Sequence, residues 1–108
     1  MTILETDLRL KFQLKCLGHG RFGLFGRSDM TNVSQLLADG RDRFIGLDDV
    51  TVDLEQADCC NTAGLALLME WSTWCESHGI RLMYDKPRAE LLEIVRINDV
   101  EEVLPFSL

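Results

Sequence analysis

Basic side chains are scarce in this 108-residue sequence: eleven Lys and Arg stand against eighteen Asp and Glu, a formal net charge of -7. That excess repels nucleic acid and the anionic face of a bilayer, so no direct nucleic-acid binding and no direct membrane insertion are expected. Prolines number two, Pro87 and Pro105, and no repeat, low-complexity tract or Pro-rich linker divides the chain. The opening MTILETDLRLKFQ has no basic start followed by a long apolar segment. Neither a secretion signal nor a membrane anchor is therefore expected, and a cytoplasmic location is the default. The four cysteines, Cys16, Cys59, Cys60 and Cys75, lack the paired C-x-x-C spacing of a zinc site, and adjacent cysteines rarely bond to each other. They read as reduced, small hydrophobic residues, with no metal and no cofactor. A nucleophilic cysteine needs a base, but the two histidines, His19 and His78, form no recognisable motif with Cys59 or Cys60. GHGRFG lacks the lysine of a phosphate-binding loop and reads as a turn, so no enzyme is indicated.

What is present describes one domain, since 108 residues can bury a single core but not two. DLRLKFQLK, residues 7–15, alternates Leu8, Leu10, Phe12 and Leu14 with polar positions and predicts an N-terminal strand. After GHG, a second strand over 21–26 completes a hairpin. In SDMTNVSQLLADGRDRFIG the positions Val33, Leu36, Leu37, Gly40 and Phe44 share one helical face, and Gly46 closes the end. Gly40 weakens that helix by up to ~1 kcal/mol relative to alanine, which marks a close approach to the sheet. DVTVDLEQ, residues 49–56, is a third strand, and a second helix opens at Thr62. A short strand in GIRLMYDKP follows, then a helix in PRAELLEIVRIND with Leu91, Ile94, Val95 and Asn98 on one side, and an extended EEVLPF. This alternation predicts an α/β layered domain with parallel neighbouring strands, and residues between a strand and a helix become the site candidates.

The second helix carries more apolar surface than one sheet can hide. At about 100° per residue, Leu65, Leu68, Ser72 and Cys75 form one stripe with Met69 at its border, while Leu67, Trp71, Trp74 and His78 form another. Together they span about 200° of the circumference, where a sheet-facing helix needs little more than ~100°. Two exposed indoles would rival the largest apolar patch usual on a monomer. Either the third helix or the N-terminal strand folds over the surplus, or Leu67, Trp71, Trp74 and His78 form a partner-binding face. Thr62 has two readings as well: an N-cap for the helix, or an exposed hydroxyl where a phosphate would add roughly -1.5 to -2 charges.

VTVDLEQADCCNTAGLALLMEW resembles the signature of STAS domains, in which an apolar strand leads to an Asp-Ser/Thr-x-Gly-Leu turn at the start of a helix. The resemblance extends over about 22–105, with LFGRSDMTNVSQLL similar to the family's strand-glycine-acid-helix entry and the 78–105 segment to its closing elements. The implied architecture is a single STAS domain over 1–108: a mixed sheet of about four to five strands with three main helices packed as a layer. NTAGLALLMEW and the terminal VLP most resemble the small stand-alone STAS subunit (MlaB-like) of Mla-type ABC transporters, which move phospholipids between envelope membranes. That branch implies a non-catalytic cytoplasmic subunit, peripheral to the inner membrane, that binds and stabilises the transporter ATPase and through it a permease, so maintaining outer-membrane lipid asymmetry. The other branch implies an anti-sigma factor antagonist that releases an anti-sigma kinase when phosphorylated at Thr62. Residue by residue, Thr62 falls at the family's hydroxyl position, Gly64 and Leu65 match the turn and first core residue, and Ala63 replaces a common serine or glycine. Asn61 departs from the family pattern, standing where an acidic residue is usual and removing a charge that would help a kinase.

Overall fold

The computed structural model describes residues 11–107. Two strands come first, β1 (Gln13–Gly18) and β2 (Arg21–Arg27), paired antiparallel with Leu14 opposite Leu24 and Cys16 opposite Phe22. The reversal between them uses three successive positive-φ residues, Gly18, His19 and Gly20. A side chain on Gly20 would also meet the Asp49 carbonyl oxygen at 2.6 Å, so glycine is required there twice over. Of the N-terminal strand predicted over 7–15, residues 7–10 lie outside the described residues, and pairing runs on to Gly18.

From β2 the chain enters α1 (Val33–Phe44), then β3 (Asp49–Asp53), a two-residue β4 (Ala57–Asp58), α2 (Thr62–Ser77), β5 (Arg81–Asp85), α3 (Ala89–Ile97) and a two-residue β6 (Phe106–Ser107). The main sheet order is β1-β2-β3-β5-β6, with β4 pairing the far end of β2. Every pairing except the hairpin is parallel. The mixed sheet with three helices is thus the layered α/β arrangement that the resemblance implies, and its six strands comprise four full ones and the two short pieces, β4 and β6. β3 stops at Asp53, short of the predicted residue 56, because the Asp53 carboxylate accepts the Glu55 N–H at 2.9 Å and turns the chain. The predicted extended tail is instead a turn through Val103, whose N–H bonds the Val100 carbonyl, and only Phe106 and Ser107 form strand.

Alternation in the strands sends one side of the sheet into the core. Phe22, Val52 and Tyr84 align across β2, β3 and β5 and are all buried, as are Leu24, Val50 and Leu82. The helices cover that side: Phe44 of α1 meets Phe22 edge-on at 5.2 Å, the Tyr84 hydroxyl donates to the Leu68 carbonyl of α2 at 2.7 Å, and Leu91 and Val95 of α3 are buried in the same core. The opposite side carries Met83, Leu17 and an Arg21 guanidinium bridging Asp53 at 3.2 Å and Asp85 at 2.9 Å.

The first stripe of α2 faces the core, and the Leu67–Trp71 half of the second is covered within the domain as well. Leu37 and Gly40 of α1 oppose Trp71, Arg41 reaches Glu70, and Val33 and Ser34 lie by Ala66 and Leu67, so α1 and α2 run parallel in close contact. Gly40 marks an approach to the Trp71 indole, correcting the expectation of an approach to the sheet. An added Cβ at Gly40 would stand 2.3 Å from Trp71 Nε1.

Candidate functional site

The chain leaves β4 through Cys59 and Cys60 and starts α2 with Asn61 as the N-cap. Its backbone is extended, its Oδ1 accepts the Gly64 N–H at 2.8 Å and its carbonyl accepts the Leu65 N–H at 2.9 Å. This corrects the capping role expected for Thr62, which is already the first helical residue. Thr62 is exposed, and its hydroxyl makes no hydrogen bond to another described residue. Ala63 and Gly64 are buried behind it. Gly64 has no positive φ to demand glycine; instead an added Cβ would lie 2.3 Å from the Cys59 carbonyl oxygen. The first turn of α2 is therefore pressed onto the turn that precedes it.

Opposite this helix start lies the loop between β2 and α1, whose sequence by itself signals only a helix entry. Ser28 is 1% exposed. Its N–H bonds the Asp58 carbonyl at 3.0 Å, its hydroxyl donates to Asn61 Oδ1 at 2.9 Å, and Asn61 Nδ2 donates to the Ser28 carbonyl at 2.9 Å. The rest of the loop ties itself up. The Asp29 carboxylate accepts from the Thr31 hydroxyl, the Thr31 N–H and the Asn32 N–H, while Asn32 Oδ1 accepts the Asp29 N–H. Those donors, the Thr31 hydroxyl foremost, hold the Asp29 carboxyl below the usual carboxylate range. At the tip stands Met30, 80% exposed. Arg27, Asp29, Met30, Asn61 and Thr62 together line an open depression of about 490 Å³.

The family model described as "Mlab, STAS domain" matches residues 18–105. The chain belongs to that family. Among solved structures it is similar to the anti-sigma factor antagonist SpoIIAA in its unphosphorylated form, with a TM-score of 0.64 at 15% identity, covering 91% of this chain and 89% of that one. It is likewise similar to the protein TM1081, with a TM-score of 0.68 at 12% identity, covering 92% and 82%. At such identities these likenesses speak for the fold. Comparison with curated proteins gives no match.

In this STAS domain the site residues expected from sequence divide into two groups. Thr62, Asn61, Ala63 and Gly64 sit together at the start of α2, beside Met30. The expected partner-binding face of Leu67, Trp71, Trp74 and His78 does not exist as one surface. Trp71 is 0% and Leu67 2% exposed, because α1 lies over them. The Trp71 ring meets Phe44 edge-on at 5.4 Å and its Nε1–H donates to the Leu37 carbonyl at 3.3 Å. The ring's partners Leu37, Gly40 and Phe44 all lie on α1, a cover other than the two expected from the sequence, the third helix and the N-terminal strand. Trp74 is half-buried and stacks on exposed His78 at 4.1 Å, with His78 Nδ1 2.8 Å from the Trp74 carbonyl oxygen. This pair closes the far end of α2, about 18 Å along the axis from Thr62 at 1.5 Å per residue.

The cysteines near the site are poor nucleophiles. Burial pushes the Cys59 thiol up to about 12, and Cys60 is raised chiefly by burial as well. Among the described residues no cluster of His, Cys, Asp and Glu could hold a metal ion, and no helix is long and apolar enough to cross a membrane. What the arrangement offers chemically is a shaped, preset surface on which the exposed Thr62 hydroxyl has no partner among the described residues.

Sequence reasoning missed Ser28 and Met30. The signal was present in RSDMTN, whose Asp29 and Asn32 are suited to side-chain-to-backbone turns. That such a turn would lie beside Thr62 depends on which strands become neighbours.

Proposed function

We propose that the protein is a non-catalytic STAS subunit that docks on the ATPase of a phospholipid ABC transporter, steadying it beneath a membrane permease. In this reading it works at the cytoplasmic side of the inner membrane and supports outer-membrane lipid asymmetry. The observation that carries the proposal is the pairing of exposed Thr62 with exposed Met30 on a loop and helix start braced by reciprocal, part-buried hydrogen bonds. A long apolar side chain left 80% in water is a natural contact anchor, and a braced surface loses little freedom on binding. Membership of the Mlab-type family supports the transporter as the setting. The contact is centred on Thr62 and Met30, with Trp74 and His78 outside it.

Co-purification from native cells tests this, with the captured subunits identified by mass spectrometry. The wild-type chain should bring down an ATPase and a permease. Thr62→Arg and Met30→Asp should each reduce that capture tenfold or more while remaining folded, and Trp74→Ala should not. Undiminished capture by both folded variants would sink the proposal.

The second reading, an antagonist released from an anti-sigma kinase by phosphorylation of Thr62, is favoured by one feature: an unbonded hydroxyl in the first turn of a helix, where the dipole favours added negative charge. Uncharged Asn61 counts against it. Capture of a kinase, and its release when Thr62 is phosphorylated, would replace the transporter reading with this one.

A further inference from the structure

Asn61 performs two tasks that can be separated chemically. Its Oδ1 caps α2 by accepting the Gly64 N–H at 2.8 Å, a role aspartate fills as well. Because that N–H demands an acceptor, the amide nitrogen must face the other way, and Nδ2 donates to the Ser28 carbonyl at 2.9 Å. A carboxylate has no such donor and would set an anionic oxygen against that carbonyl. Ser28 returns the contact by donating its hydroxyl to Asn61 Oδ1 at 2.9 Å. Both partners are withdrawn from water, Ser28 almost wholly, so the exchange runs in an environment where an unmade hydrogen bond is costly.

The tie also stands at the base of a self-braced loop. Asn32 Nδ2 holds the Arg27 carbonyl at 3.0 Å, Asn32 Oδ1 holds the Asp29 N–H at 2.9 Å, and Asp29 holds Thr31 and Asn32 in return. Met30 rides on that bracket, whose base is tied to the helix start through Ser28 and Asn61, so loosening that tie loosens the loop that carries Met30. We infer that Asn61, acting through Ser28, is the positioning residue that fixes Met30 relative to Thr62, so that an amide at 61 selects a partner surface that an acid there would not fit. This deepens the docking proposal above and rests on it.

Asn61→Asp isolates the tie from the cap, and Asn61→Ala removes both. Binding of the purified full-length chain to the co-purifying ATPase is measured by calorimetry and by dissociation rate, at a temperature where circular dichroism shows every variant fully folded. Asn61→Asp should weaken affinity at least tenfold, mainly through faster dissociation. Hydrogen exchange on the free chain should show the 29–32 amides opening at least tenfold faster while the Gly64 and Leu65 amides keep their protection. A merely structural role would lower the melting temperature yet leave the affinity of the folded molecule unchanged, and binding within twofold of wild type would overturn the inference. Unchanged exchange in the 29–32 loop would overturn it as well. Should the wild-type chain itself fail to bind the ATPase, the docking proposal falls, and the exchange experiment still decides whether Asn61 holds the loop.

Discussion

Trp71→Ala should cost the domain a large share of its stability. The indole is fully enclosed between α1 and the core, with Gly40 against its face, Phe44 edge-on at 5.4 Å and its N–H spent on the Leu37 carbonyl. Burying a tryptophan removes about 150–250 Å² from water. At ~25 cal/mol per Å² that amounts to about 4–6 kcal/mol. Truncations of buried Phe or Trp to Ala cost about 3–5 kcal/mol, and a domain's entire stability is about 5–15 kcal/mol. A loss of that size lowers the melting temperature by roughly 15 °C or more in a domain of about this length. Trp74→Ala, by contrast, should cost about 1 kcal/mol, since that ring is half in water and stacks mainly on exposed His78. Urea unfolding followed by circular dichroism separates the two, with unchanged m-values showing that the same cooperative transition is being compared. If Trp71→Ala unfolds within about 1 kcal/mol of wild type, the placement of its ring between the two helices is wrong. The same arithmetic shows why a Trp71→Ala/Trp74→Ala variant cannot report on a partner: it would lose capture by unfolding.

Gly40→Ala gains up to ~1 kcal/mol of helix propensity but drives a methyl group to 2.3 Å from Trp71 Nε1. Overpacking of this kind costs about 1–3 kcal/mol, so the variant should melt below wild type, and its combination with Trp71→Phe should be less than additive. A Gly40→Ala protein more stable than wild type would refute the close contact. For the cysteines, thiol labelling at pH 8 should modify exposed Cys16 first and reach Cys59 and Cys75 only on unfolding. Burial raises Cys59 from 9.0 to about 12 and Cys75 to about 11, so above pH 9 the unfolded chain gives up these protons before the folded one does. Their contribution is fully present below about pH 9 and declines between there and pH 12, which urea midpoints at pH 7, 9 and 10 would register. A midpoint that stays level through pH 10 contradicts the burial of both thiols.

The strands and helices were legible because their side-chain periods are local. Val50 and Val52 alternate with less buried neighbours, and Leu91 and Val95 repeat at helical spacing, so each element announces its own buried side. β4 was invisible since two residues carry no period; it forms where β2 runs four residues beyond its pairing with β3 and offers the last two, Gly26 and Arg27, to Ala57 and Asp58. Asn61 and Thr62 are both good capping residues, and nothing local decides which one takes the extended backbone conformation. Ser28 became part of the site only through its distance from Asn61, thirty-three positions along the chain. The covering of Trp71 was half legible. Gly40, a helix-weakening residue in mid-helix, reported a close neighbour but could not say that the neighbour was another helix.

The surplus of apolar surface on α2 still bears on function, by a different route. Because α1 and α2 pack in parallel, both helices begin at the carboxyl ends of their strands, the edge where open α/β sheets present their sites. The β2–α1 loop and the start of α2 are thereby delivered side by side, and the Trp71 interface keeps the two helices from sliding past one another. A displacement of one helix by even part of a turn would break the reciprocal bonds between Ser28 and Asn61 and separate Met30 from Thr62. On the docking proposal, the buried tryptophan and the exposed threonine belong to one device, the first holding the geometry that the second displays. Substitutions at the two residues should accordingly differ in kind, Trp71 changing how much protein is folded and Thr62 changing what the folded protein can hold.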